Sequence, residues 1–159
     1  MTSSRPVSES LVDLLAGLRG RGDRPLLICD DTRISYAEAE VRSARLARGL
    51  VALGAGKGTH VGLTYPNGVE FVVAMLAAAR IGAVVVPFST FLTSAELRTQ
   101  VLDSDAVIML SSRRFRNHNY EERLAENGDA PCLRYYSPTR RPYRAGRPAR
   151  STTVGCALC

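Results

Sequence analysis

Long hydrophobic runs are missing from this sequence of 159 residues. No stretch approaches the roughly 18 consecutive apolar residues that a membrane-spanning helix needs. The N-terminal residues also lack the continuous apolar segment that a secretory signal peptide requires. We therefore expect a cytoplasmic protein without a membrane span, and the length predicts one domain.

Acidic residues are scarce in the C-terminal third. Residues 1–110 contain 11 Lys or Arg and 11 Asp or Glu, whereas residues 111–159 contain 10 Arg and 4 acidic residues. The C-terminal segment therefore supplies the whole net charge of +6. From residue 133 onward, arginine, proline and glycine dominate without a helical or strand period, a composition typical of a disordered tail. We expect an uncharged globular part and no nucleic-acid binding by it.

The sequence also lacks a recognisable set of catalytic or ligand-binding residues. Residues 54–59 (G-A-G-K-G-T) have the glycines of a phosphate-binding loop, but Gly58 stands where that loop needs Ser or Thr. The segment joins a predicted helix to a predicted strand, so no helix N-terminus faces a phosphate, and a flexible connector is the better interpretation. His60 has no adjacent acid or nucleophile and is interpreted as structural, and Cys29 as a buried strand residue.

Zinc ligation is a further candidate chemistry. Cys156 and Cys159 form one Cys-x-x-Cys pair at the C-terminus. Cys132 and His118 would bring the number of ligands to four, but their spacing matches no familiar zinc site. We expect His118, in a polar segment, to be solvated. The sequence therefore predicts no catalytic, cofactor-binding or metal-binding residue in this chain.

The clearest structural pattern spans residues 60–89. A short apolar run at 61–65 is followed by a long Ala-rich apolar segment at 71–81 and a β-branched run at 83–86. This order and spacing predict a strand–helix–strand unit with parallel strands and a right-handed crossover.

Capping signals place the ends of three helices. A hydroxyl or amide followed three residues later by glutamate is typical of a capping box at a helix start. The sequence offers three such pairs: Ser35 with Glu38, Asn67 with Glu70, and Thr93 with Glu96. Gly54 and Gly82 are placed to end the first two of these helices.

The remaining elements complete an α/β pattern. Residues 25–36 predict a small hairpin, and residues 106–110 predict a third buried strand after a helix with Leu97, Val101 and Leu102 on its apolar face. We also expect a short helix within 113–127, and an N-terminal amphipathic helix carrying Leu11, Leu14, Leu15 and Leu18. The predicted fold is a partial doubly wound sheet of at least three parallel strands with flanking helices, preceded by the hairpin and followed by the disordered tail.

Three segments resemble the adenylate-forming (AMP-binding) enzyme superfamily. They are residues 34–38 (I-S-Y-A-E), 66–71 (P-N-G-V-E-F) and 80–87 (R-I-G-A-V-V-V-P). Their order and intervals are similar to the N-terminal part of that superfamily. Residues 88–91 (F-S-T-F) depart from the acidic ending of peptide-synthetase adenylation domains, so the resemblance favours acyl-CoA synthetases of the fatty-acid–CoA ligase type. It assigns residues 1–126 to an N-terminal portion of the domain and residues 127–159 to the tail.

The resemblance implies a two-step ligase reaction. A carboxylic acid reacts with ATP to give an acyl-adenylate and pyrophosphate, with Mg²⁺ shielding the phosphates, and the thiol of CoA then displaces AMP. The family's phosphate loop, ribose-binding Asp and lid Lys are not found in this sequence, and residues 151–155 only imitate the loop. We therefore expect a truncated, inactive acyl-CoA synthetase that binds no cofactor by itself.

Three expectations concern the tail and partners. The reading frame is expected to be lost near Tyr135 or Tyr136, where the family pattern fades. An unfinished sheet leaves an open edge, so aggregation or dependence on a partner is expected. Two alternatives stay open: a non-catalytic α/β module whose basic tail binds nucleic acid or an acidic partner, and one half of a split ligase with a complementing chain.

Overall fold

The fold is described from a computed structural model that covers residues 16–17, 19–30, 32–116, 118–125 and 134–136. In chain order the strands are β1 (Pro25–Cys29), β2 (Thr32–Ser35), β3 (His60–Thr64), β4 (Val84–Pro87), β5 (Ile108–Ser111), β6 (Arg114–Phe115), β7 (His118–Asn119) and β8 (Arg134–Tyr136). The helices are α1 (Tyr36–Ala52), α2 (Val69–Arg80), α3 (Ser94–Asp103) and α4 (Tyr120–Ala125). A 3₁₀ turn at Arg19–Arg21 precedes them.

A four-stranded parallel sheet in the order β4-β3-β5-β8 forms the centre of the fold. Val61 of β3 pairs with Val85 of β4 on one side and with Ile108 of β5 on the other. β1 and β2 form a separate antiparallel hairpin. The predicted hairpin and the predicted doubly wound sheet of at least three parallel strands are therefore confirmed.

Helices cover both faces of this sheet. On one face, Leu50 of α1 and Ala77 of α2 pack against Val61 and Leu63 of β3. On the opposite face, Leu97 and Val101 of α3 and Leu124 of α4 pack with Met109 of β5. Burial of these apolar side chains is the main stabilising contribution to a sheet that is enclosed on both sides.

Gly62 allows the second face to close over the central strand. A Cβ atom built at this position would lie 2.6 Å from Cε2 of Phe88 and would overlap the Sδ atom of Met109. Both neighbouring side chains are buried. The absence of a side chain at Gly62 therefore lets these two large residues meet above the strand.

Two of the three predicted capping boxes are confirmed, and one is wrong. Ser35 Oγ accepts from Glu38 N at 3.1 Å, and Thr93 Oγ1 accepts from Glu96 N at 3.3 Å. At the start of α2, the N-cap is Gly68 and no side chain caps the helix. Because this helix begins at position 69, one residue later than a box at Asn67 requires, the carboxylate of Glu70 lies 3.7 Å from Arg42 instead.

Glycines end α1 and α2 as predicted. Gly54 has φ 87° and Gly82 has φ 69°, a conformation that favours glycine. Ala83 N donates to Ala78 O at 3.0 Å, and Gly82 N donates to Ala79 O at 3.0 Å. This pair of bonds is the Schellman arrangement, which satisfies the last carbonyls of the helix. The same pair follows α1, at Gly54 and the next residue.

Several local expectations were wrong. Leu102 is 39% exposed instead of facing the core. Cys29 lies in β1 as expected but is only partly buried, because the hairpin has one face toward solvent. The short helix expected within 113–127 is present as α4, but it covers only part of that range: β6 and β7 precede it and pair as an antiparallel ribbon, with φ 52° at Arg116. The short helix begins only at Tyr120.

The C-terminal segment contributes one strand to the described structure. β8 pairs with β5 in parallel, Met109 lying opposite Tyr135. This strand falls inside residues 127–159, for which the sequence predicts no regular structure, and the run L-R-Y-Y has the aromatic content that strands favour. The other residues of that segment, and the predicted N-terminal amphipathic helix at 11–18, lie outside the described residues.

Across the residues that the structure describes, no helix has both the length and the apolar character needed to cross a bilayer.

Candidate functional site

The carboxyl edge of the parallel sheet is the candidate site. The chain leaves β3 toward β4 on one side of the sheet, and it leaves β5 toward β8 on the other side. The connections therefore diverge between β3 and β5 and open a crevice at their carboxyl ends. In open α/β sheets, ligands bind at such a divergence.

Hydroxyl side chains are concentrated at this crevice. Thr64 ends β3, and Ser111 and Ser112 end β5 and follow it. Ser112 N donates to Thr64 O at 3.1 Å, which ties the two strand ends together. The hydroxyls of Thr64 and Ser112 are buried and have no hydrogen-bond partner among the described residues. Since a buried unpaired hydroxyl costs about 1–3 kcal/mol, the ends of β3 and β5 each carry a polar atom that the described residues leave unsatisfied.

The loop after β4 is held to this edge by two side chains of α4. Tyr120 donates its hydroxyl hydrogen to Thr90 O at 2.8 Å. Arg123 Nη1 donates to Leu92 O at 2.6 Å, and Nη2 lies 2.6 Å from His118 Nδ1. Both carbonyls belong to the loop between β4 and α3, so these bonds fix the position of that loop.

We call these contacts between α4 and the loop after β4 the clasp. The environments of His118 and Tyr120 at the clasp change how each side chain behaves. His118 is half-buried beside Arg123, whereas the sequence predicts a solvated residue. Its Nδ1 atom faces a guanidinium group, which only donates, so this nitrogen acts as the acceptor. Burial raises the pKa of the Tyr120 hydroxyl above its ordinary value, and the positive charge of Arg123 only partly offsets this. Tyr120 therefore stays protonated and able to donate near neutral pH.

His60 and the connector at 54–59 lie at the opposite, amino edge of the sheet. His60 Nδ1 lies 2.6 Å from Ser104 O, which is the structural role that the sequence predicts. Gly58 N donates to Gly82 O at 2.9 Å, so the connector is tied to the end of α2. The segment leads from α1 into β3 without a helix N-terminus, as predicted for a connector.

A second polar network lies between α1 and α2. Arg80 Nε donates to the buried Ser43 Oγ at 3.0 Å, and the same guanidinium donates to Glu40. Burial alone would raise the pKa of the Glu40 carboxyl, but the hydrogen bond and charge of Arg80, aided by Arg19, hold that pKa below its usual value. The network joins the two helices that pack on the same face of the sheet, so we interpret it as structural.

The described residues do not by themselves fit a magnesium nucleotide. Within the described ranges, no group of three or more His, Cys, Asp or Glu side chains is placed to hold a metal ion. At the N-terminus of α2, the carboxylate of Glu70 lies in the first turn, where it would repel a phosphate. The other candidate zinc ligands, Cys132, Cys156 and Cys159, lie outside the described residues.

Sequence reasoning missed the hydroxyls at the crevice and the clasp. Thr64 ends an apolar run, and Ser111 and Ser112 follow another. A polar residue at the carboxyl end of a predicted parallel strand could therefore have indicated a site at this edge of the sheet. The clasp could not be predicted from a local sequence pattern, because Tyr120 and Thr90 lie 30 residues apart in the chain.

The sequence matches known proteins over most of its length. Residues 16–151 match the family described as AMP-binding enzyme. A medium/long-chain-fatty-acid–CoA/3-oxocholest-4-en-26-oate–CoA ligase of Mycobacterium marinum is 37% identical over 93 residues, which are 58% of this chain and 17% of that protein. 4-Coumarate–CoA ligase 5 of Oryza sativa subsp. japonica is 37% identical over 100 residues, or 62% of this chain and 19% of that protein. The chain therefore spans less than a fifth of either relative.

Solved structures share the fold. The anthranilate CoA ligase AuaEII in complex with anthranoyl-AMP aligns with a TM-score of 0.74 and 21% identity, over 87% of this chain and 27% of that chain. O-succinylbenzoate coenzyme A synthetase (MenE) of Bacillus subtilis, in complex with AMP, aligns with a TM-score of 0.59 and 28% identity, over 68% and 29%. At 21% identity, the first alignment speaks for the architecture alone.

Proposed function

Because this chain belongs to the AMP-binding enzyme family, we propose that it is the N-terminal portion of an ATP-dependent acyl-CoA ligase. The observation that carries the proposal is the family match over residues 16–151. The names of the aligned relatives support the acid–thiol ligase branch, since both the M. marinum and the rice protein are CoA ligases. The whole enzyme would form an acyl-adenylate from a carboxylic acid and ATP, and then transfer the acyl group to CoA.

A fatty acid is the proposed substrate class. The support is the name of the M. marinum relative, which specifies medium- and long-chain fatty acids. The rice relative is named for an aromatic acid, so the assay must include both classes. The enzyme is proposed to act in the cytoplasm.

The portion described here would serve as scaffold. Its sheet, helices and carboxyl-edge crevice would position segments that this sequence does not contain, including the phosphate loop that such a reaction needs to stabilise charge on the reacting phosphates. ATP, Mg²⁺ and CoA would bind only when the missing segments, from the same or a complementing chain, are present.

A chimera tests the proposal. The 93-residue segment of the M. marinum ligase that aligns with this chain would be replaced by the corresponding residues of this protein. We expect ATP-dependent formation of acyl-CoA from a medium-chain fatty acid, and less from 4-coumarate. The same chimera with Gly62→Val is the control, because a branched side chain there overlaps Met109 and Phe88. A chimera that folds but forms no acyl-CoA from either acid would contradict the proposal.

Two further measurements address the isolated chain. Titration calorimetry of the 159-residue protein with ATP should detect no micromolar binding, and micromolar binding would contradict the scaffold role. The nucleotide sequence of the locus, read in all three frames past the codon for Leu133, tests the proposed loss of frame. We expect a neighbouring frame to encode a Ser/Thr/Gly-rich loop ending in Pro-Lys, and its absence would count against a frameshift.

A further inference from the structure

The chain has two histidines, and their Nδ1 atoms have opposite hydrogen-bonding roles. Nδ1 of His60 lies 2.6 Å from the carbonyl oxygen of Ser104, so this nitrogen carries a hydrogen and donates. Nδ1 of His118 lies 2.6 Å from Nη2 of Arg123. A guanidinium group has no acceptor, so this second nitrogen carries no hydrogen and accepts. Protonation of the imidazole would therefore preserve the contact of His60 and remove that of His118.

Arg123 connects His118 to the loop after β4. Its Nη2 atom donates to His118, while its Nη1 atom donates to Leu92 O at 2.6 Å. Because the guanidinium group is planar and rigid, one orientation of the group serves both contacts. A hydrogen on His118 Nδ1 would place two donors face to face in that orientation. The orientation that holds Leu92 O would then be disfavoured as well.

The charges around His118 act in the same direction. α4 presents Arg123 and also Tyr120, whose ring centroid lies 6.4 Å from that of His118. The other described charged side chains of the ribbon segment and of α4 are three exposed arginines and one exposed carboxylate: Arg113, Arg114, Arg116 and Glu122. The loop residues 88–92 carry no titratable side chain. Among the described residues, His118 forms no ion pair with a carboxylate. A proton on His118 would therefore add a positive charge next to an existing one, and the two would repel.

We infer that protonation of His118 releases the loop after β4, so that the clasp is closed at neutral pH and open in weak acid. Histidine is the side chain that ordinarily gains a proton between about pH 8 and 5. Neutral His118 accepts from Arg123, which also holds Leu92 O. After protonation, the clasp retains only the bond from Tyr120 to Thr90 O. Because this loop follows the carboxyl end of β4, its release changes access to the carboxyl edge of the sheet. The inference does not depend on the proposed ligase reaction.

Hydrogen–deuterium exchange of the 159-residue protein at pH 7.5 and pH 5.5 tests the inference. Protection factors at residues 88–92 are compared, because they remove the intrinsic pH dependence of exchange. We expect protection there to fall roughly tenfold at the lower pH, which corresponds to the loss of one hydrogen bond. Both values lie above the pKa of the Glu40 carboxyl, which is below 4.5, so the network between α1 and α2 keeps its charge. Unchanged protection at residues 88–92 would overturn the inference.

The two histidines supply the variant and its matched control. His118→Gln provides an amide oxygen that can accept from Arg123 but does not titrate. Protection at residues 88–92 should then be the same at both pH values. His60→Gln should leave the pH dependence in place, since His60 Nδ1 donates in both protonation states. Circular dichroism at each pH would establish that the variants are folded. Persistence of the pH dependence in His118→Gln would overturn the inference.

Arg123→Gln separates release of the loop from local opening of the β6–β7 ribbon. This variant removes the guanidinium group that contacts both Leu92 O and His118, so protection at residues 88–92 should be low at both pH values. In the unmodified protein, a loss of protection in acid that is confined to residues 114–119 would mean that His118 moves away while Arg123 keeps its bond to Leu92 O. That result would overturn the inference.

Discussion

Arg80 near the end of α2 donates a hydrogen bond to the carboxylate of Glu40 on α1, 40 residues earlier in the chain. The same guanidinium donates to the buried Ser43 Oγ at 3.0 Å. The side chains of Arg80 and Glu40 are 14% and 24% exposed, so solvent screens this pair less than an exposed pair. The contact fixes how the two helices lie against each other on one face of the sheet.

Stability should therefore depend on the ionisation of Glu40. Its pKa in the folded chain is below the ordinary value of 4.5, so its contribution is present above that pH and is lost as the pH falls below it. Glu40→Gln should lower the free energy of unfolding at pH 7 by about 1–3 kcal/mol and flatten its decrease in acid. Urea unfolding at pH 7, 5, 4 and 3 measures both effects.

The exposed pair between Arg42 and Glu70 is the control for that experiment. Its side chains are 47% and 63% exposed and lie 3.7 Å apart. Arg42→Ala should change the free energy of unfolding by less than about 1 kcal/mol, since exposed pairs contribute little. A larger loss from Arg42→Ala than from Glu40→Gln would show that the partly buried network does not join the helices as we describe.

The capping side chains give a second prediction. Ser35→Ala should cost about 1 kcal/mol, because its hydroxyl accepts from Glu38 N at the start of α1. Asn67→Ala should cost only a few tenths of that, since Gly68 is the N-cap of α2 and Asn67 is exposed. Urea unfolding of the two variants in parallel measures the difference. Equal losses would mean that Asn67 caps α2 after all, as the sequence pattern suggested.

Local patterns predicted much of the fold. The family resemblance, the β1–β2 hairpin, the parallel strands and the capping boxes at Ser35 and Thr93 were all predicted and are confirmed. These features depend on residues close in sequence, or on motifs whose order is maintained along the chain. The capping box predicted at Asn67 does not form, because Asn67 and Gly68 are both suitable N-cap residues and Gly68 takes that position.

The candidate site was not predictable in the same way. The crevice depends on the strand order β4-β3-β5-β8, and a sequence does not state which strands are neighbours. The pairing of Arg114 with Asn119 depends on a turn at Arg116, whose positive φ is uncommon for a residue with a side chain. The boundary at residues 126 and 127, and the absence of catalytic residues, stay predictions.

Gly62 gives a third prediction. Gly62→Ala should destabilise the protein by about 1–3 kcal/mol, because its methyl group would overlap Met109 and Phe88 in a closed part of the core. Gly49→Ala is the matched control: outside its chain neighbours and the backbone of its own helix, no atom lies within 4 Å of a Cβ atom built there, and alanine favours the helix that Gly49 belongs to. The control should stabilise by about 0.5–1 kcal/mol. Chemical unfolding that gives both variants the same sign would contradict this account of the central strand.

The clasp between α4 and the loop after β4 gives the last prediction. Tyr120→Phe removes the hydroxyl that donates to Thr90 O at 2.8 Å but keeps the buried ring. We expect a loss of about 1 kcal/mol in the free energy of unfolding. Amides of residues 88–92 should exchange with deuterium faster, because local opening of the loop becomes easier. Amides of the β1–β2 hairpin should keep their rates.

Tyr36→Phe is the control for the clasp. The hydroxyl of Tyr36 accepts from the exposed side chain of Arg21 at 3.3 Å, so its removal should leave exchange at residues 88–92 unchanged. If Tyr120→Phe accelerated exchange equally in all elements, the hydroxyl would contribute to global stability without holding the loop. Faster exchange confined to residues 88–92 would instead show that the Tyr120 hydroxyl of α4 holds this loop in place. The conformation of the carboxyl edge would then depend on a contact between two residues that lie 30 positions apart in the chain.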